Sequence, residues 1–223
     1  QVLSCQSRAN LMPNNSNKII GVILSGGLSR RMNNQDKGFI QLAHKPLFEH
    51  VLERLSPQCD SIIISSNKES QQLSSYDLPI IKDSLEGFLG PLAGLLACMQ
   101  WVRKHQPGVQ WIASVPVDTP FIPQNLVSTL YQSMLENTAD IACATSNGRT
   151  HPVIALWPIR LLDNLEAALS KENIRKIDLW TSRYKVSLPD FSDSLLDPFY
   201  NINCHEDLVH AEALLRKPNE NTA

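Results

Sequence analysis

No stretch of this chain approaches the roughly 18 consecutive apolar residues that a membrane-spanning helix needs, so no transmembrane helix is expected. Charge of one sign is not in excess either. Twenty Lys and Arg against 22 Asp and Glu leave a formal net charge of −2, which gives no global pull towards nucleic acid or a membrane surface. Cysteine is sparse: Cys5, Cys59, Cys98, Cys143 and Cys204 are widely spaced and include no C-x-x-C pair, which argues against a disulfide framework and a zinc site alike. Cys98 and Cys143 sit in apolar surroundings and read as small core residues, and a cytoplasmic setting fits the cysteine usage. Internal repeats, low-complexity blocks and a convincing linker are all missing. The first residues lack the basic start and continuous apolar segment of a secretory signal. Residues 1–17 accordingly read as a disordered leader, 18–216 as a single domain and 217–223 as a flexible tail.

What is present is an alternation of short β-like runs and longer helical patterns. Strands are expected at 18–24, 61–65, 78–81, 111–115, 140–145 and 152–157. Helices are expected at 46–55, 91–103, 124–136, 159–170 and 206–216. Pro46 suits the first turn of its helix, where a missing N–H costs nothing. Such alternation predicts one α/β domain built on a mainly parallel sheet covered on both faces. In open sheets of that kind ligands bind outside the carboxyl ends of the strands. Leu24, Asp83 and Asp118 all fall at or just past such ends, so the sequence places two carboxylates and the first loop on one rim.

That first loop is the most informative segment. An apolar run, Ile19-Ile20-Gly21-Val22-Ile23-Leu24, gives way to Ser25-Gly26-Gly27 and then to a stretch carrying Arg30, Arg31 and Lys37 against the single acid Asp36. Exposed backbone N–H groups and cationic side chains after a buried strand make a place for a polyphosphate. Two familiar phosphate loops do not match. The G-x-x-x-x-G-K-[ST] pattern would need its lysine directly after the second glycine, and no G-x-G-x-x-G is found.

The loop is similar instead to that of the molybdenum cofactor guanylyltransferase family of nucleotidyltransferases, whose pattern runs approximately L-A-G-G-x-x-x-R-M-G-G-x-D-K-G and then L-x-x-P-L. Here it reads Leu24-Ser25-Gly26-Gly27, then Arg31-Met32-Asn33-Asn34-Gln35-Asp36-Lys37-Gly38, then Ala43-His44-Lys45-Pro46-Leu47. Four further blocks resemble the family in order: Ile81-Lys82-Asp83-Ser84 with Gly90-Pro91-Leu92-Ala93-Gly94; Val117-Asp118-Thr119-Pro120; His151-Pro152-Val153; and Asn201-Ile202-Asn203-Cys204-His205-Glu206-Asp207-Leu208. The resemblance spans residues 19–214. Three departures stand out. Asn33 and Asn34 replace two glycines, Ser65 occupies the place of a nucleotide-contacting Asn with Asn67 nearby, and the N-T-P-E-D-L block has Cys204 and His205 at its centre.

The resemblance implies a three-layer, mostly parallel twisted sheet of Rossmann-like nucleotidyltransferase type. It implies transfer of GMP from GTP to the terminal phosphate of the molybdopterin cofactor, with release of pyrophosphate and Mg²⁺ as cofactor. Lys37, Asp118 and Arg31 are the implied catalytic residues, with Asp118 the metal ligand. Leu24, Ser25, Gly26, Gly27, Lys37, Ser65, Asp83 and Asp118 fall on the GTP side, and Arg31, Asn34, Gly90, Asn201 and Asn203 on the pterin side. Implied partners are GTP, the molybdopterin cofactor, cofactor-carrier proteins and apo-molybdoenzymes, with no nucleic acid and no membrane.

By residue type alone, the alternatives stay open. One carboxylate with phosphates and water is the usual way to hold Mg²⁺, yet an acid in Asp118-Thr119-Pro120 equally caps a turn. Gly94 reads as a phosphate-approach glycine or as close helix–sheet packing, and His151 as a structural residue ahead of a phosphate contact. Competing activities are cytidylyl transfer to the same acceptor and nucleotidyl transfer to a sugar phosphate. A non-catalytic carrier of nucleotide or pterin is the non-enzyme alternative.

Overall fold

The structure is a computed structural model that describes residues 18–26, 37–68, 70–85, 90–192 and 197–216. Residues 1–17 and 217–223, the expected leader and tail, therefore lie outside the described residues. In chain order the elements are β1 (Ile19–Leu24), β2 (Gln41–Leu42), β3 (Lys45–Pro46), α1 (Leu47–Leu55), β4 (Ser61–Ser65), α2 (Gln71–Ser74), β5 (Ile80–Ile81), α3 (Pro91–His105), β6 (Trp111–Pro116), α4 (Leu126–Glu136), β7 (Ile141–Ser146), β8 (Arg149–Pro158), α5 (Leu162–Ser170), α6 (Ile177–Thr181), β9 (Val186–Ser187) and α7 (His205–Arg216).

Every residue of β1 is buried, because the strand lies in the middle of the sheet with helices on both faces. Its alternation sorts the core into two layers. Ile20 and Val22 pack with Leu95 and Leu96 of α3 and Leu165 of α5. Ile19 and Ile23 pack on the other face with Phe48 and Val51 of α1 and Leu126 and Leu130 of α4. A third cluster joins Leu42, Leu47, Phe121, Ile202 and Ala211 at the end of the sheet, tying the β2–β3 hairpin and α7 to the rim.

The main sheet has seven strands in the order β5-β4-β1-β6-β8-β7-β9. The pairs β4–β5, β1–β4, β1–β6 and β7–β9 are parallel, and β8 runs antiparallel to both its neighbours. The mostly parallel sheet is as expected; the reversed β8 was not. Asn147 and Gly148 both have positive φ, 50° and 71°, which is the two-residue turn that an antiparallel hairpin demands. That Asn-Gly signal is present in the sequence.

Other boundaries move for local reasons. Pro46 closes the small hairpin and precedes α1 as its cap residue (φ −55°, ψ 142°) instead of lying inside the helix. The expected strand at 78–81 narrows to two residues, in keeping with Pro79, which has no N–H to give to a ladder. The helix expected from 159 opens with a 3-10 turn, and the one expected from 124 begins at Leu126. The β2–β3 hairpin, α2, α6 and β9 carried no sequence signal that singled them out. The hairpin turns through Ala43 and His44 at φ 49° and 66°, residue types that rarely advertise a left-handed turn.

Candidate active site

β1 is followed by a chain that first builds β4 and β5 on one side and then β6 on the other. The order of strands therefore reverses at β1, and the carboxyl ends of β4, β1 and β6 splay around a crevice. A cleft of about 590 Å³ opens there. Leu24, Ser25, Gly26, Lys37, Ser65, Asp83, Gly90 and Asp118 all line it. Gly27, Arg31 and Asn34 lie outside the described residues.

Lys37 enters from a 3-10 turn, Lys37–Phe39. Its Nζ donates to Asp118 Oδ2 at 3.1 Å and to Asn203 Oδ1 at 2.6 Å. Asp118 and Asn203 are 81 and 166 positions from Lys37 in the chain, and the tertiary fold makes the three neighbours. The side chains of Lys37 and Asp118 are 24% and 15% exposed. A pair so far withdrawn from water is screened less than a surface ion pair.

Asp118 sits on a backbone held from both sides. The Pro116 carbonyl accepts from both the N–H and the hydroxyl of Thr119, at 3.3 and 2.8 Å. The Asp118 carbonyl accepts from the Ile202 N–H at 2.9 Å. Asn203 is fixed in turn by α7: the Asp207 carboxylate accepts from the N–H groups of Asn203 and Cys204 at 2.8 and 3.0 Å. Burial pushes the Asp207 carboxyl up, but those two N–H donors and Tyr200 outweigh it and hold it below its ordinary value. Asn201, two residues earlier, is exposed.

Across the cleft, Asn67 and Asp83 form a reciprocal pair. Asn67 Nδ2 donates to Asp83 Oδ2 at 2.7 Å, and the Asp83 N–H donates to Asn67 Oδ1 at 2.8 Å. Asn67 thus orients the carboxylate that lines the cleft. Ser65 turns its hydroxyl towards α3, where a Cβ added to Gly94 would lie 2.4 Å from it. Gly94 is therefore a close-packing glycine as well as a cleft residue. Gly90, at φ 150°, leads into the first turn of α3, which no side chain caps. Such a start leaves backbone donors open to an anion.

The opposite wall depends on the His151-Pro152-Val153 block, to which the sequence assigned no place in the cleft. Between Cys143 and Ala144 the β7–β8 register slips, leaving residues 152–154 of β8 without partners on β7. Pro152 lies in that bulge, a position where its missing N–H does no harm. The Val153 carbonyl accepts from Ser114 at 2.7 Å, and Ser114 accepts from Trp157 Nε1 at 2.8 Å. Val153 itself lines the cleft, as do Ser66, Asn67 and Lys68. The His151-Pro152-Val153 block was the available signal for that wall.

No group of three or more His, Cys, Asp or Glu is arranged to hold a metal among the described residues. A lone carboxylate such as Asp118 suits a Mg²⁺ that takes its remaining ligands from substrate phosphates and water. Burial pushes the Cys98 and Cys143 thiols up to about 12, which disfavours a nucleophilic role for either. No helix of the described residues is long and apolar enough to cross a membrane.

Comparison with known proteins finds relatives along most of the chain. A family model described as MobA-like NTP transferase domain matches residues 21–184. A relative from Rhodopseudomonas palustris named molybdenum cofactor guanylyltransferase is 44% identical over 198 residues, covering 88% of this chain and 92% of its own. One of the same name from Rhizobium meliloti is 38% identical over 199 residues, 87% of this chain and 90% of its own. Among solved structures, the molybdopterin-guanine dinucleotide biosynthesis protein A of Archaeoglobus fulgidus superposes with a TM-score of 0.70 at 28% identity, covering 88% of this chain and 98% of that one. A 4-diphosphocytidyl-2C-methyl-D-erythritol synthase from Anaerococcus prevotii, 13% identical, matches with a TM-score of 0.68 over 91% of this chain and 97% of its own; it shares the fold.

Proposed function

The chain belongs to the MobA-like NTP transferase family, and from that membership we propose that it is a molybdenum cofactor guanylyltransferase. It transfers GMP from GTP to the terminal phosphate of the molybdopterin cofactor. An oxygen of that phosphate attacks the α-phosphorus of GTP, a new P–O–P bond forms, and the bond to the β-phosphate breaks to release pyrophosphate. The nucleophile is already an anion, so no protein base is required. The obstacle is charge, and catalysis rests on positioning and neutralisation.

Lys37 supplies one fixed positive charge at the mouth of the first loop, and its bonds to Asp118 and Asn203 hold it there. Asp118 would hold Mg²⁺, and the chemistry that ion would supply is positive charge to offset that of the phosphates. Asp83, oriented by Asn67, accepts from the guanine or ribose donors of GTP. The N-terminus of α3 behind Gly90 offers backbone N–H groups to phosphate. Asn201 and Asn203 face the pterin side. Arg31, Gly27 and Asn34 complete the loop contacts in this reading. Cofactor carriers and apo-molybdoenzymes are its proposed partners, supplying the acceptor and receiving the dinucleotide.

The observation that carries the reading is the Lys37–Asp118–Asn203 cluster at the reversal of strand order, in a chain that matches guanylyltransferases along most of its length. The test is to incubate the purified protein with molybdopterin, Mg²⁺ and either GTP or CTP. GTP should be consumed in preference, giving a guanine dinucleotide and pyrophosphate. Equal turnover of both would overturn the base assignment, and no turnover with either would favour a carrier.

A further inference from the structure

We propose that Ser146 and Asp197 form an anchor that seats the 197–203 segment on the rim of the sheet and so positions Asn201 and Asn203 for the acceptor substrate. This inference rests on the guanylyltransferase reading. Ser146 is the last residue of β7 and is 0% exposed. Its hydroxyl donates to Asp197 Oδ1 at 2.8 Å and lies 2.8 Å from His151 Nε2. A hydroxyl has one proton, and a carboxylate only accepts. With that proton given to Asp197, the His151 contact must run from Nε2–H to Ser146 Oγ.

Serine, histidine and aspartate in contact invite a nucleophilic reading, and the geometry rejects it. In a hydrolytic triad the imidazole takes the serine proton and the carboxylate holds the other ring nitrogen. Here the carboxylate takes the serine proton directly, and the hydroxyl is sealed from solvent. What the cluster does hold is backbone. Asp197 Oδ1 also accepts from the Phe199 N–H at 3.0 Å, and the Asp197 carbonyl accepts from Tyr200 N–H at 3.0 Å. The Phe199 ring, 2% exposed, stacks at a tilt on His151 with centroids 4.8 Å apart.

Beyond this turn the segment crosses to the active site. Ile202 is fully buried, and its N–H donates to the Asp118 carbonyl at 2.9 Å. Asn203 accepts from Lys37. The segment is thus pinned at Ser146, at the end of β7, and at Asp118, after β6, with exposed Asn201 between the pins. Releasing the Ser146 pin leaves Asn201 and Asn203 held from one end only. Ser146 and Asp197 act through those residues and are positioning residues.

The experiment compares Ser146→Ala, Asp197→Ala and Asp197→Asn with wild type in the guanylyl-transfer assay, varying GTP and acceptor separately and following folding by circular dichroism. Both alanine variants should raise the acceptor KM by about tenfold and lower kcat, with the GTP KM within about twofold of wild type. Asp197→Asn keeps an oxygen acceptor and should return to within about threefold of wild type. GTP and acceptor constants moving in proportion, unchanged kinetics, or no rescue by Asn would each overturn the proposal. If Ser146→Ala does not fold, the Asp197 pair decides. Wild type that makes no guanine dinucleotide would sink the functional reading by itself. The anchor would then be judged by hydrogen exchange at the amides of Phe199, Ile202 and Asn203, which must quicken in Asp197→Ala and stay slow in Asp197→Asn.

Discussion

Asp118 does two jobs that one substitution can separate. Its side chain meets Lys37, while its carbonyl holds Ile202. Asp118→Asn keeps the size and the backbone contact but removes the charge. Pyrophosphate release should fall by about 10²- to 10³-fold with the circular dichroism spectrum unchanged; turnover near wild type would remove Asp118 from the metal role. His151 gives a prediction in pH. Burial outweighs the attraction of Asp197 and keeps its imidazole below the usual 6.5. The unfolded chain takes up that proton first, so the folded state loses stability as pH drops below about 6.5 and loses nothing above it. His151→Gln should lessen the acid-induced drop in unfolding temperature near pH 5.5, as measured by thermal unfolding at that pH and at pH 7.5. Residue identities of this kind were legible in the sequence, and Lys37, Asp83 and Asp118 were singled out there. Asn67 and Asn203 were named there as well, but which residue each one meets was not, because Asn67 with Asp83 and Asn203 with Lys37 meet only when loops from different strands converge.

Among the elements, α3 packs closely on β4 at Gly94. An alanine there would put its methyl 2.4 Å from Ser65 Oγ, a clash with a hydroxyl on a short, buried side chain. Gly94→Ala should cost about 1–3 kcal/mol of stability. In a Ser65→Ala background, where the nearest remaining atom of that residue is its Cβ at 3.5 Å, most of the cost should vanish. A double-mutant cycle by denaturant unfolding measures this, and additive effects would exclude the clash. The start of α4 depends on a distant side chain. Gln58 accepts from the Val127 N–H at 2.9 Å and donates to the carbonyls of Arg54 and Pro123 at 2.7 and 2.9 Å. Gln58→Ala should destabilise by about 1–2 kcal/mol. No periodicity could announce that clamp, since apolar spacing reports which face of a helix is buried and says nothing of what satisfies its ends. The reversed β8 is a different case. Asn147-Gly148 stood in the sequence, and its strands were recognised without the turn that sets their direction.

For the molecule as a whole, the strand order places the cleft between β4, β1 and β6, so ligand binding and stability are coupled through the sheet. At about 100 times its dissociation constant, GTP with Mg²⁺ should stabilise the fold by about 2.7 kcal/mol. That raises the unfolding temperature by several degrees, roughly 5–10 °C for a chain of this size. CTP at equal concentration should raise it less, and an equal rise would argue against guanine selectivity.

The amino-acid sequence by itself determined the alternation of strands and helices, the mostly parallel sheet and the order of the chemical blocks, because burial periodicity and short motifs are local properties of a chain. The tertiary structure decided the rest. It brought Asn203 to Lys37, turned Asn67 onto Asp83, and pinned the 197–203 segment between Ser146 and Asp118. Each of these is a contact between residues far apart in sequence, and its geometry comes into being only when two packed layers bring the strand ends to one rim.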